Sequence, residues 1–204
     1  MKKLLFTLIC LPTICFSQNW TQLSNVTFSG RHHPITFAND NFGFVMSGSY
    51  TNDAYKYDKS NDSWSSLQNI PFSARGYAYG VAKGNLAYMG FGNTSSGQYP
   101  VDWWQYDMNN DTWYQLADFP GNGRQHPAMV VVNDKIFVGC GGNNNGNLND
   151  WWEYDINNNS WSQKPNLPGN GRHHPFYFGI DDYAYVGFGH GSYPGPGSNS
   201  SAGV

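Results

Sequence analysis

The side chains with most chemistry to offer are histidines set beside arginines: His32-His33 after Arg31, His126 after Arg124 and His173-His174 after Arg172. Imidazoles ligate transition metals and exchange protons near neutral pH, and arginine supplies a planar fork for carboxylate or phosphate. Three segments, Asp58-x-Ser60-x-Asp62, Asp107-x-Asn109-x-Asp111 and Asp155-x-Asn157-x-Asn159, open like a calcium-binding loop. Cys140 is the one cysteine outside the first 17 residues and the remaining candidate nucleophile.

Whether these side chains do chemistry depends on what positions them, and a repeat does. Trp103–Pro127 and Trp151–Pro175 lie 48 residues apart and are identical at 15 of 25 positions. A period in this range signals repeat architecture. Trp20, Trp64, Trp113 and Trp161 are each followed eleven residues later by Arg31, Arg75, Arg124 and Arg172, which are all the arginines of the chain. Seventeen residues beyond each arginine, a hydrophobic run ends at Gly48, Gly92, Gly141 or Gly189. Tyr57, Tyr106 and Tyr154, each followed by Asp, stand seven residues before the last three tryptophans.

Within a unit, period-2 runs and turn residues give four short strands. Strand a covers Pro34–Ala38, Tyr77–Ala82, Pro127–Val132 and Pro175–Ile180; strand b ends at the marker glycine, strand c carries Tyr-Asp, and strand d carries the marker tryptophan. No segment sustains a helical period, so an all-β fold with essentially no helix is expected. This pattern resembles the kelch repeat, the four-stranded antiparallel blade of a β-propeller: a strand ending in glycine, Tyr-Asp, Trp about seven residues on, then Pro and Arg. Only Gly141-Gly142 keeps the paired glycines of that motif; Gly48-Ser49, Gly92-Asn93 and Gly189-His190 keep one.

The resemblance implies a strand d at 20–23, blades at 31–67, 75–116 and 124–164, and a partial blade at 172–189 within repeats spanning 18–190, followed by a Gly/Ser/Pro-rich tail at 191–204. Propellers close with about four to eight blades, so an incomplete, truncated ring is expected.

Recurrence separates scaffold from site, because a residue repeated once per blade is most simply explained by the fold. Arg31, Arg75, Arg124 and Arg172 are read first as bridges between blades. The histidines are expected to radiate around the axis without converging. With no His-x-x-x-His helix or cysteine partner, no metal and no cofactor are expected. The aspartate segments lack the glycine at position 6 and the glutamate at position 12 of a calcium site, and read as Asx-turns closing c–d hairpins. Cys140 reads as a small buried hydrophobe, and Glu153, the sole glutamate, is replaced by Gln105 one unit earlier. No catalytic residue is assigned.

Composition narrows the partners. Met1-Lys2-Lys3, the apolar run Leu4–Phe16 and Ser17 read as a signal peptide over residues 1–17. Its removal takes two of 11 basic residues and leaves 9 − 14 = −5. Such a chain attracts neither nucleic acid nor an anionic membrane, and no membrane insertion after cleavage is expected. One remaining cysteine allows no intrachain disulfide. The destination is secreted, periplasmic or cell surface.

Antiparallel strands alternate in direction, so d–a and b–c loops share one face. The b–c loops differ in length, with Gly48 to Asp53 five residues, Gly92 to Asp102 ten and Gly141 to Asp150 nine. Variable loops on a rigid scaffold are where binding is expected. The candidate ligand-binding face comprises Arg31, Arg75, Arg124, Arg172, His33, His126, His174, Tyr99, Trp103 and Trp151, with a glycan or protein as ligand. The alternative implied by fold-level similarity is a sugar enzyme such as a sialic-acid mutarotase, with a galactose-oxidase-like copper enzyme behind it.

Overall fold

A computed structural model of the chain describes residues 20–191, which form sixteen strands and no helix. The signal-peptide and tail readings fall on residues outside this range, apart from Gly191. No helix among the described residues is long and apolar enough to cross a membrane.

Three four-stranded antiparallel sheets follow one another along the chain. The first contains β1 (Ile35–Ala38), β2 (Phe42–Met46), β3 (Ala54–Asp58) and β4 (Ser63–Ser66). The second contains β5 (Tyr79–Lys83), β6 (Leu86–Gly90), β7 (Trp103–Asp107) and β8 (Thr112–Gln115). The third contains β9 (Ala128–Val132), β10 (Lys135–Gly139), β13 (Trp151–Asp155) and β14 (Ser160–Lys164). The two-residue strands β11 (Gly142–Asn143) and β12 (Gly146–Asn147) make a hairpin inside its b–c connection. A fourth sheet contains β15 (Phe176–Ile180) and β16 (Tyr183–Gly187). The inner strands β1, β5, β9 and β15 succeed one another around an axis. These are propeller blades, three full and one of two strands.

Two strand expectations need correction. Residues 20–23 form no strand, and Trp20 is fully exposed, because an outermost strand pairs only with strand c of its own blade and no such partner exists among the described residues. The loop after it keeps the repeat register: Ser24 N–H donates to Asp62 at 2.9 Å, as Ala117 N–H donates to Asn159 at 2.8 Å. Strand b also ends two residues before the marker glycine. Ser47, Phe91, Cys140 and Phe188 have φ between 55° and 65°, and the glycines follow at 80–85°. Two successive left-handed residues cannot continue a strand.

That turn joins the blades. The amide of each marker glycine donates to the carbonyl of the next unit's arginine, Gly48 to Arg75 at 3.2 Å, Gly92 to Arg124 at 2.8 Å and Gly141 to Arg172 at 2.8 Å. A side chain has no room there: a Cβ on Gly92 would lie 2.4 Å from the Gly76 carbonyl oxygen. Apolar side chains fill the space between sheets. Phe37, Phe44 and Met46 of the first blade meet Tyr106 and Met108 of the second, and Tyr88, Phe91 and Trp103 of the second meet Ile136, Val138 and Tyr154 of the third. On the fourth sheet the corresponding apolar side chains, including Phe178, Tyr185 and Phe188, are exposed.

The Tyr-Asp motif now has a physical meaning. Tyr57, Tyr106 and Tyr154 each donate a hydroxyl to the Asx five residues on, Asp62, Asp111 and Asn159, all at 2.8 Å. Those acceptors take left-handed φ of 47°, 52° and 47°. Asp58, Asp107 and Asp155 accept backbone N–H bonds from Ser60, Asn109 and Asn157 at 2.8–2.9 Å. The calcium-like segments are Asx-turns closing c–d hairpins.

Candidate functional site

The arginines are built into the scaffold. Arg31, Arg75 and Arg124 form two-pronged ion pairs with Asp53, Asp102 and Asp150, with closest approaches of 2.6, 2.9 and 2.6 Å. One prong of each also donates to the carbonyl of the left-handed residue, Ser47, Phe91 or Cys140. Phe28, Phe72 and Phe119 lie under the three guanidiniums at 4.6–4.9 Å. The pairing tethers strand c to the d–a loop, and Trp104 and Trp152 reinforce it by donating to Asp102 and Asp150. Arg172 is buried like Arg75 and Arg124; its equivalent aspartate would belong to a fourth strand c, which the described residues do not contain.

The partners Asp53, Asp102 and Asp150 escaped recognition in the sequence. Their spacing from the arginines drifts from 22 to 27 to 26 residues with the loop between them. The signal that identifies them is their fixed place one residue before strand c.

Trp103 and Trp151 also belong to the scaffold. Trp103 is wholly buried against Tyr88, Tyr154 and Trp161, and Trp151 stacks on Phe137 over Gly139. Neither presents a ring to solvent at the loop face, so both leave the candidate set. Cys140 is buried, and burial pushes its thiol up to about 11, so it carries no thiolate at neutral pH.

The histidines behave differently from expectation: they converge. His33, Tyr77, His126 and His174 hold equivalent places, each two residues after a marker arginine, and all are left-handed, with φ of 50°, 59°, 52° and 52°. Backbone bonds link them around the axis, His126 N–H to the Tyr77 carbonyl at 3.4 Å and His174 N–H to the His126 carbonyl at 3.3 Å. These contacts draw successive units together at a short radius, where radiating side chains had been expected. Ring centroids are 4.9 Å apart for His33 and His126, 3.4 Å for His126 and His174, and 5.8 Å for His33 and His174. Ligand atoms of all three lie within 4.8 Å of one another. Tyr77 packs on both His33 and His126.

The remaining histidines extend this cluster. His32 contacts His33, His173 contacts His174 and His126, and His190 stacks on His173 at 5.1 Å. All six histidines of the chain therefore form one connected group. Burial and neighbouring imidazoles disfavour charge at its centre: His126 is lowered to about 3 by desolvation and then by His174 and His33, and His174 to about 4 by desolvation and then by His173.

Below the cluster the axis opens. A cavity of about 270 Å³ is lined by His33, Pro34, Thr36, Ala78, Tyr79, Gly80 and Tyr177. It shares Thr36, Gly80 and Tyr177 with an open groove of about 400 Å³ between the inner strands. Tyr79 and Tyr177 were absent from the sequence-based set because only the blade geometry turns them inward. Tyr99 sits half-buried on the second b–c loop, and its hydroxyl donates to Asn144 of the third at 3.2 Å. This contact joins neighbouring variable loops on the histidine face.

Blades, axis and loop face define a β-propeller. The family model for the Kelch-repeats domain of KLHDC2, KLHL20 and DRC7 matches residues 42–189, and the chain belongs to the kelch-repeat family. The search of curated proteins finds no match. Among solved structures, that of YjhT is similar with a TM-score of 0.76 and 16% sequence identity. The likeness covers 88% of this chain and 65% of YjhT, so the chain spans about two-thirds of that structure's length. At this identity the likeness shows the fold alone.

Proposed function

We propose that this kelch propeller is an exported binding module that takes a carbohydrate at the mouth of its axial channel. The observation that carries the reading is the packing of His33 and Tyr77 against His126 beside a cavity lined by His33, Tyr79 and Tyr177, on the face to which the b–c loop pair Tyr99–Asn144 also belongs. Aromatic rings offer stacking surface to the C–H face of a sugar, and imidazole, amide and phenol groups pair with hydroxyls. The leader-like residues 1–17 support export.

A sugar mutarotase remains the second reading, but it requires an arginine free to hold an anionic substrate. Arg31, Arg75 and Arg124 are each committed to an aspartate, and Arg172, which has no such aspartate among the described residues, is buried, which favours binding over catalysis.

The test is titration with a panel of mono- and oligosaccharides, sialic acid included, followed by intrinsic fluorescence and calorimetry. Tyr99→Ala and Tyr177→Phe should weaken binding at least tenfold with little change in melting temperature. The reading is overturned if no saccharide binds, or if the bound one is indifferent to both substitutions. A protein captured through Tyr99 in the absence of sugar binding would replace it with the protein-ligand alternative.

A further inference from the structure

From the convergence of His33, His126 and His174 we infer a three-histidine site for a divalent transition-metal ion of the zinc type at the axial mouth. The inference is independent of any sugar ligand. Side chains from three different blades supply one ligand atom each, all within 4.8 Å of one another. Imidazole suits zinc, copper and nickel, and a His₃ set leaves a coordination position open for water or substrate.

Two features distinguish this cluster from histidines that merely pack. First, the arrangement leaves a polar atom stranded. Nδ1 of His174 is buried and has no hydrogen-bond partner among the described residues, a state that a bound cation relieves. Second, His126, wholly enclosed between its neighbours, has Nδ1 3.4 Å from the Tyr79 hydroxyl. That contact leaves Nε2 free and supplies the kind of outer partner that orients a ligating imidazole. The rings of His126 and His174, with centroids 3.4 Å apart, are in stacking contact and part by roughly 2 Å when both hold one ion.

The site needs a small closure. Zinc–nitrogen bonds of about 2.0–2.1 Å place tetrahedral ligands about 3.4 Å apart, so side-chain rotations of the order of 1–2 Å, with His33 closing in and His174 swinging off the His126 ring, complete it. His33 is exposed and has the freedom to swing, whereas His126 is fixed. Metal entry is therefore from the loop face.

Chelator-stripped full-length protein titrated with Zn²⁺ by calorimetry, and with Co²⁺ by absorption, provides the test. We expect one ion per chain at micromolar or tighter affinity, with cobalt bands of four- or five-coordinate intensity. His33→Ala, which alters an exposed residue, should weaken Zn²⁺ by at least 100-fold while the protein melts as before; His126→Ala and His174→Ala should do the same where they fold. Tyr79→Phe should cost roughly 10-fold, as outer partners do, and His32→Ala and His190→Ala less than about threefold. Absence of stoichiometric binding overturns the site, as does binding that survives His33→Ala or is abolished equally by His32→Ala.

Discussion

The backbone N–H of His174 donates to the carbonyl of His126 at 3.3 Å while their rings lie 3.4 Å apart. One contact belongs to the scaffold and the other to the proposed metal site, and they occur in the same residue pair. Blade-to-blade bonding around the axis is what brings side chains of distant sequence into a single cluster. The same separation of roles governs what substitutions should do.

Arginine substitutions should report on folding. Removing one partner of a buried pair leaves an uncompensated charge and costs about 3–5 kcal/mol. Arg124→Gln strands Asp150, whose side chain is 17% exposed, whereas Arg31→Gln strands Asp53, which is 32% exposed and can rehydrate. Denaturant unfolding should therefore rank Arg124→Gln as the more damaging. Equal, negligible effects with loss of a ligand would return the arginines to the binding site.

The same pairs set the response to acid. Burial alone would raise the Asp150 carboxyl, but the Arg124 hydrogen bonds outweigh it and hold the group below its ordinary value; Asp53 is held low chiefly by Arg31. A carboxylate depressed in the folded state contributes stability that is present above the unfolded value of about 3.9 and lost as pH falls through the folded one. Stability should thus decline on acidification below about pH 4. In Arg124→Gln that part of the slope should flatten. A wild-type slope that persists unchanged in the variant would show that Asp150 is not its source.

How much of this was readable in the sequence follows from what each feature depends on. Register markers such as Trp113, Arg124 and Gly141 recur because one local conformation demands each of them, so the repeat, the four strands of each full blade and the loop face could be read directly, whereas the strand expected at 20–23 lacks a partner among the described residues. Tyr106 and Asp111 are five residues apart and make a local bond, yet the motif shows only its recurrence. The drifting Arg–Asp spacing hides a constant geometry. Convergence of His33, His126 and His174 was not legible, because it rests on the axial radius and on left-handed backbone set by neighbouring blades. Trp103 and Trp151 misled because large aromatics beside a loop serve packing and binding equally well by type.

Loop packing should be sensitive to one methyl group. A Cβ on Gly123 would lie 2.0 Å from the Tyr99 carbonyl oxygen, so the long second b–c loop rests directly on that glycine. The unit after the short first loop has Ala74 in this place. Gly123→Ala should destabilise by roughly 2 kcal/mol or more, since the clash is with backbone. Gly30→Ala, with nothing within 4 Å, should stay within about 0.5 kcal/mol. Thermal melts of the two variants decide the matter, and similar values would show that the Tyr99 loop is not anchored there.

Trp103 and Tyr99 should part company in any ligand experiment. Trp103 fills the seam between the second and third blades, over Gly90 and against Tyr154 and Trp161. Trp103→Ala removes a large buried ring and should cost about 3–5 kcal/mol. Tyr99 makes one cross-loop hydrogen bond and leaves part of its ring open, so Tyr99→Ala should cost about 1 kcal/mol or less. In the folded fraction of Trp103→Ala, ligand affinity should be within about threefold of wild type, whereas Tyr99→Ala should lose it while remaining fully folded. Calorimetric titration combined with near-ultraviolet circular dichroism separates these outcomes. If Trp103→Ala loses affinity while its fold and melting temperature are intact, the assignment of Trp103 to the scaffold fails.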